Sequence, residues 1–262
     1  MFPVSVMKNQ DQFGPFEIHQ TRRPDKPLIS VVMSAYNSGA SVETSVRSIL
    51  NQSFYDFELI VVDDGSQDVT FQKLQVLAKK DDRIVLIHNP ENIGLTKSLI
   101  RGIVISRGKY IARQDDDDIS APSRFATQLR YLPKYDFVCC RTQVNQKRIS
   151  PKMISVLFYR QVLLLKNIFV HGSFLFKREL YDALGGYDTA FTYAQDYDFI
   201  VRVVHSSYKI KFLRQVLYFS NKSPRCISRS RLTEQSAFVD QVRRNLRKFG
   251  KHRTQKNVDQ SR

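Results

Sequence analysis

Little in the sequence marks a secreted, membrane-spanning or metal-stapled protein. There are three cysteines, Cys139, Cys140 and Cys226. An odd number with two adjacent does not make a disulfide framework, and buried free thiols in a reducing cytosol are the simpler reading. No Cys/His spacing suggests zinc. No apolar run approaches the roughly 20 residues of a membrane span. Windows such as Val162 to Leu165 are soon interrupted by Lys166 and Asn167. Met1 to Gln20 has no basic start followed by an apolar block, so no secretory signal is expected. No G-x-G-x-x-G follows the first strand-like run, and no G-x-x-x-x-G-K-[ST] occurs anywhere. That argues against a nicotinamide cofactor and against a P-loop nucleotidase.

What is present suits one substantial core. The chain has 262 residues, 42% hydrophobic and 25% charged. Its formal net charge is +16. From Asn221 to Arg262 twelve Lys and Arg face three acids, so over half of that excess sits in the last sixth of the chain. Such a tail attracts polyanions, nucleic acid or anionic lipid. No helix-turn-helix, zinc-finger or RNA-binding signature accompanies it, and nucleic acid is not the expected partner. An apolar stripe of Phe238, Val239, Val242 and Leu246 on a basic helix suits an anionic membrane surface. A solvated tail without a partner fits as well.

Residues 1–27 lack periodicity and end in Arg22-Arg23-Pro24-Asp25-Lys26-Pro27, which reads as an extension and linker. From Leu28 the texture changes. Leu28–Met33, Phe57–Val62, Ile84–Ile87 and Tyr110–Ala112 read as buried strands. Helical spacing separates them: Val42, Val46, Ile49 and Leu50; Leu74, Leu77 and Ala78; Leu95, Leu99, Ile103 and Val104. Ser66 or Asp68 can cap the second helix. Alternation over short connections predicts an α/β fold with a mainly parallel sheet covered by helices on both faces. Beyond Pro133 the alternation loosens. A strand over Asp136–Cys139, a helix over Val156–Asn167, a strand over Gly172–Phe176, a short helix over Arg178–Leu184, a helix over Tyr197–His205 and a strand over Lys209–Leu213 are expected. The organisation is therefore 1–27, an extension; 28–228, the main domain, with halves 28–118 and 119–228; and 229–262, a basic helix and tail.

Asp115 to Asp118 follow an apolar strand and precede Pro122, which suits the start of a helix. Adjacent carboxylates repel unless a cation compensates, and the ends of strands are where open α/β sheets bind ligands. Hard divalent cations take carboxylate oxygens and leave room for substrate phosphates. If the segment is extended, Asp115 pairs with Asp117, or Asp116 with Asp118. The plainer alternative is an acidic helix start. Asp63-Asp64-Gly65-Ser66 also follows a strand, where a carboxylate can accept from a base imide or a ribose hydroxyl; alone it is a plain Asp-Gly turn. Asp196 and Asp198 begin a helix and can be caps. His171 reads first as a structural histidine.

Together these pieces resemble the family 2 glycosyltransferases of the GT-A fold, over about Leu28 to Ser228. The resemblance rests on Ile29–Asn37, Ser48–Ser53, Phe57 through Asp63-Asp-Gly-Ser66, Asn92-Ile-Gly94, Gly108–Ala112, the Asp run through Pro122 and Arg124, and Gln195-Asp-Tyr-Asp198. It implies a Rossmann-like sheet and an enzyme moving a hexosyl or N-acetylhexosaminyl group from a nucleotide sugar, with Mn²⁺ or Mg²⁺, in bacterial surface-polysaccharide synthesis. It implies that Ser34, Ala35 and Tyr36 lie along the uracil and ribose of a UDP-sugar, that Asp64 accepts from the base, and that Lys97 meets the nucleotide. Asp115, Asp116 and Asp117 match the Asp-x-Asp motif, with Asp117 as the metal ligand and Asp115 or Asp116 facing ribose and donor sugar. Asp118 begins the next turn. Asp196 matches the general base, although Gln195 stands where the family often has Glu. His171 falls on the acceptor side, and Arg225 to Ser228 is a candidate lid over the diphosphate. A glycan or lipid-linked acceptor is implied, at a cytoplasmic location, peripheral to the inner face of the membrane if the tail anchors there. One carboxylate base implies inversion, since double displacement needs a second, nucleophilic carboxylate. A catalytically silent GT-A scaffold is the alternative against which the intact Asp117 and Asp196 speak.

Overall fold

The structure is a computed structural model and describes residues 5–20, 26–163, 165–220, 236–242 and 244. Its first elements place two strands, which the sequence reading did not expect, within the segment read as an extension and linker. Strands β1 (Ser5–Asp11) and β2 (Gly14–Gln20) form an antiparallel hairpin, and β2 pairs with a later strand of the main sheet. Only Phe16, Ile18 and His19 of the hairpin are buried. The hairpin is held by a buried arginine as well as by its ladder. Arg101 donates to both carboxylate oxygens of Asp11 (2.7 and 2.8 Å), to Gly14 O and to Asn89 Oδ1, and lies over the Phe16 ring. A polar strand docked this way carries no period of its own, which is why its pattern gives no signal.

The alternation expected from Leu28 onward is present. It runs β3 (Ile29–Ala35), α1 (Val42–Leu50), β4 (Phe57–Asp63), α2 (Thr70–Ala78), β5 (Ile84–His88), α3 (Leu95–Ile105) and β6 (Tyr110–Arg113). These strands are parallel in the order β5-β4-β3-β6. Every residue of β3 and β4 is buried, as both-face coverage requires. Val31, Met33, Leu59 and Val61 pack with α1 and α2; Val32 packs with Leu99 and Ile103 of α3 on the other face. Gly102 lets α3 approach closely, since a Cβ there would come within 2.7 Å of Val32. Asp68 accepts from Thr70 N at 2.9 Å in the turn before α2, while Val69 is the residue that flanks the helix.

The second half adds to this parallel centre. It comprises β7 (Ile119–Ser120), α4 (Arg124–Leu129), β8 (Phe137–Val144), β9 (Arg148–Ser150), α5 (Met153–Leu157), α6 (Tyr159–Leu163), a 3₁₀ turn (His171–Ser173), β10 (Leu175–Lys177), α7 (Arg178–Ala183), α8 (Gln195–His205) and β11 (Ile210–Ser220). β10 lies antiparallel between β6 and β8, β11 runs parallel to β8, and β7 closes on β11. Three expectations shift. The helix expected over Val156–Asn167 is the short pair α5 and α6. The strand expected from Gly172 starts only at Leu175, because Gly172 is wedged under the Tyr218 hydroxyl in the 3₁₀ turn. The last strand continues to Ser220. Cys139 and Cys140 are buried free thiols. Residues 236–242 are helical and Val242 is buried. Most of the expected basic tail, with Cys226, lies outside the described residues. No helix among the described residues is long and apolar enough to cross a membrane.

Candidate active site

Strands β3, β4 and β6 all end at one edge of the sheet, and the Asp run begins there. It is a turn rather than an extended segment, with Asp118 N facing Asp115 O at 3.4 Å. The two-residue alternation considered for an extended run therefore does not apply. Gln114 builds the turn. Its amide nitrogen donates to Asp118 O (2.8 Å) and Asp115 O (3.3 Å), and its oxygen accepts from Ser120 Oγ and Arg124. Arg124 is fully buried, and donates to Arg113 O, Phe174 O, Ser120 Oγ and the side-chain oxygens of Gln114 and Gln128. A buried charge satisfied on every side by oxygen acceptors fixes a single geometry. From the other flank, Tyr218 of β11 accepts from Asp115 N at 3.1 Å.

The four carboxylates are unequal. Asp115 pairs with buried Arg113 at 3.0 Å. Asp116 accepts from Tyr36 N at 3.3 Å, which ties the turn to the end of β3. Burial, then the charge of Asp115, pushes Asp116 up to about 6. Burial and the charges of Asp115 and Asp116 push Asp117 up to about 7. Asp118 is driven up to about 8 by burial and by Asp115 and Asp117, against hydrogen bonds from Ser220 and Tyr218. Asp118 is thus turned toward β11, away from the open side.

At the end of β4 two adjacent carboxylates differ in role. Asp63 is paired with His88 Nδ1 at 2.8 Å. Asp64 Oδ1 accepts from Asn89 Nδ2 (2.9 Å) and Ile93 N (3.0 Å), and Oδ2 from Gly94 N (2.9 Å). Three of the roughly four acceptor positions of a carboxylate are filled, so one is left on Oδ2. Ser34 and Ala35 are buried in β3, Tyr36 is 47% exposed beyond it, and Lys97 is exposed in the first turn of α3.

The second candidate half-site is at the start of α8. Neither Asp196 nor Asp198 caps it: the flanking residue is Ala194, with φ 61°, and no side chain caps the helix. Asp198 is bound to Arg202 at 2.7 Å, which also holds Leu184 O and Gly186 O. Asp196 instead accepts from Asn167 Nδ2 at 2.8 Å. Burial raises Asp196 to about 6, and the charge of Asp115 adds to this, so the two half-sites share one field. His171 sits between them. Its Nε2 faces the Tyr187 hydroxyl (2.7 Å) and Arg113 Nε (3.3 Å), and an acceptor to an arginine N–H is unprotonated. Burial and Arg113 hold it well below its ordinary value. Arg225 and Ser228 lie outside the described residues.

A concavity of about 960 Å³ opens elsewhere, between Ile100, Tyr181, Tyr187, Phe191 and Arg202. Its buried carboxylate, Asp198, is already paired with Arg202. No group of three or more His, Cys, Asp or Glu side chains is gathered for a metal among the described residues. A cation of the Mg²⁺ or Mn²⁺ type needs only one or two carboxylates beside phosphate oxygens and water. The turn fits that demand: Asp116 and Asp117 are hard oxygen donors raised by burial and by neighbouring carboxylates, and a cation offsets both. Sequence reasoning missed Gln114, Asn167 and Tyr218. Gln114, polar at the end of a buried strand, was the one with a visible signal.

An α/β sheet with a carboxylate turn at the ends of its parallel strands, and a second carboxylate at a helix start, defines a protein of the GT-A glycosyltransferase type. The model of glycosyl transferase family 2 matches residues 30–185, and the chain belongs to that family. An uncharacterized glycosyltransferase of Haemophilus influenzae is 42% identical over 112 residues, 43% of this chain and 35% of that protein. The O-antigen biosynthesis glycosyltransferase WbnJ of Escherichia coli is 28% identical over 240 residues, 87% of this chain and 91% of that protein. Among solved structures, TarS of S. aureus in complex with UDP aligns with a TM-score of 0.68 at 18% identity, covering 83% of this chain and 64% of that one. The mannosyltransferase PcManGT of Pyrobaculum calidifontis, in complex with GDP-Man and Mn²⁺, aligns with a TM-score of 0.63 at 21% identity, covering 77% and 59%. The chain thus spans about six-tenths of each of these solved structures and about a third of the Haemophilus relative.

Proposed function

We propose that the chain is a metal-dependent, inverting glycosyltransferase that moves a hexosyl or N-acetylhexosaminyl group from a nucleotide diphosphate sugar, UDP-linked in the first instance, to a glycan or lipid-linked acceptor in surface-polysaccharide synthesis. The observation that carries this reading is Asp196. It is a carboxylate with an elevated pKa, oriented by Asn167 and electrostatically coupled to the Asp turn. The O-antigen role of WbnJ supports the acceptor class, and the ligands of TarS and PcManGT support a nucleoside diphosphate beside a divalent metal.

In this mechanism the remaining acceptor position of Asp64 takes the base imide N–H, with Ser34, Ala35 and Tyr36 along base and ribose and Lys97 near the nucleotide. Asp115 and Asp116 orient the ribose and donor sugar, Asp116 being steadied by Tyr36 N. Asp117 would hold the divalent cation. When bound, the cation neutralises charge on the departing diphosphate. Asp196 takes the proton of the attacking acceptor hydroxyl, and its pKa of about 6 suits a base working near neutrality. Direct attack opposite the leaving group inverts the anomeric carbon. The test is a screen of purified protein against UDP-sugars and GDP-mannose with Mn²⁺, following nucleoside diphosphate release. Turnover undiminished by chelation, or wild-type turnover in Asp196→Asn, overturns the mechanism.

A further inference from the structure

The stretch 149–165 carries a surface that the catalytic reading leaves unused. Ile149 is 42% exposed, Ile154 59%, Leu157 65%, Phe158 52% and Leu165 72%. These are five of the twelve large hydrophobic residues exposed among the described residues, gathered within seventeen positions. α5 buries none of its residues, and α6 buries only Leu163. Ile154, Leu157 and Phe158 recur at the three- and four-residue spacing that puts side chains on one side of a helical segment, and exposed apolar groups concentrated in this way mark interaction surfaces rather than single scattered residues.

The charge around this ledge selects its partner. Between Asp136 and Glu179 the sequence has no acidic residue, and over the same interval it has Arg141, Lys147, Arg148, Lys152, Arg160, Lys166, Lys177 and Arg178. Of these, Lys147, Arg148, Lys152, Arg160 and Lys166 are exposed and flank the apolar residues. Exposed apolar side chains interspersed in sequence with cations, and with no acid between Asp136 and Glu179, match the interface of an anionic bilayer, where apolar groups enter the acyl boundary and the cations meet head groups; Asp240, on the helix packed against α6, is an exposed acid beyond that interval. A protein partner, or a second copy of this chain, would instead supply a matching acidic rim.

The ledge is also coupled to the candidate base. Tyr197 of α8 donates its hydroxyl to Leu163 O at the end of α6. Four residues further on, Asn167 reaches Asp196. We propose that α5, α6, Leu165 and Lys166 form a docking surface for anionic lipid bilayer, which sets the Asp196 side of the site against the membrane. This goes beyond the transferase reading and does not depend on the basic tail.

The test is co-sedimentation of the full chain with vesicles of phosphatidylcholine alone and with about 30% phosphatidylglycerol, enough to give the surface a negative potential. Two variants carry the question, Ile154→Gln/Leu157→Gln and Lys152→Glu/Lys166→Glu. Both alter exposed side chains, and an unchanged melting temperature verifies folding. The expected result is that wild type binds the anionic vesicles and that each variant loses roughly tenfold in affinity or more, about 1.4 kcal/mol. Binding equal on neutral vesicles, no binding by wild type, or variants that bind as wild type does would overturn the proposal. So would light scattering that shows a wild-type dimer dissociated by Ile154→Gln/Leu157→Gln, since a second copy then covers the ledge. A failure here leaves the transferase reading standing, because nucleoside diphosphate release is measured separately.

Discussion

Asn167 donates its side-chain amide to Asp196 at 2.8 Å, across 29 residues of sequence. The contact favours the ionised carboxylate and offsets part of the rise that burial imposes. With Asp196 near 6, transferase activity should rise as pH increases through about 6, where the base loses its proton. Asn167→Ala should move that acidic limb to higher pH and lower kcat near neutrality, with KM for the donor little changed. A pH–rate profile of both proteins checks this, and an unmoved limb separates Asn167 from the base.

Gly172 sits where any Cβ would collide with the Tyr218 hydroxyl and come within 2.9 Å of Asp115 Oδ2. Gly172→Ala should therefore destabilise the protein by about 1–3 kcal/mol. Removing the hydroxyl in Tyr218→Phe should relieve part of that cost in the double variant. Urea unfolding of the four proteins gives the cycle, and additive effects would contradict the packing described.

Gln114 joins Asp115, Asp118, Ser120 and Arg124 through one amide. Gln114→Ala orphans several buried groups and should cost about 3 kcal/mol. It should also loosen the turn, so that donor binding weakens along with stability. Isothermal titration with UDP and Mn²⁺ measures the second effect.

The burial and the neighbouring charges that lift Asp117 to about 7 also weaken the apo fold. Between an unfolded value near 4 and that folded value, the folded state holds the extra proton, so this contribution to stability falls as pH rises from about 4 to 7. At pH 8 Asp117→Asn should raise the melting temperature of metal-free protein, and Mn²⁺ should stabilise wild type but not the variant. Fluorescence-monitored melting with and without chelator tests both signs.

The parts of the fold legible from sequence were those whose pattern follows from burial on both faces. β3 and β4 are runs of β-branched and apolar residues because helices cover each side. β1 was illegible because solvent meets almost every side chain in it, and its position comes from Asp11 and from pairing with β2. The carboxylates of the site were legible as a cluster at a strand end. Their support was not: Tyr218 lies 103 residues from Asp115, and no local spacing announces that contact. Asn167 was likewise hidden within a segment read as one continuous helix.

The anchoring of the hairpin bears on how the gene can be trimmed. The family match begins at residue 30, and Leu28 is where the texture of the sequence changes, so a clone starting there looks natural. That clone would remove Asp11, Gly14 and Phe16 and strip buried Arg101 of its counter-charge. Arg101 also holds Asn89, which holds Asp64. A shortened expression product should thus be poorly soluble, and any folded fraction should bind nucleotide weakly. A workable clone keeps β1 and β2 and so begins no later than Ser5.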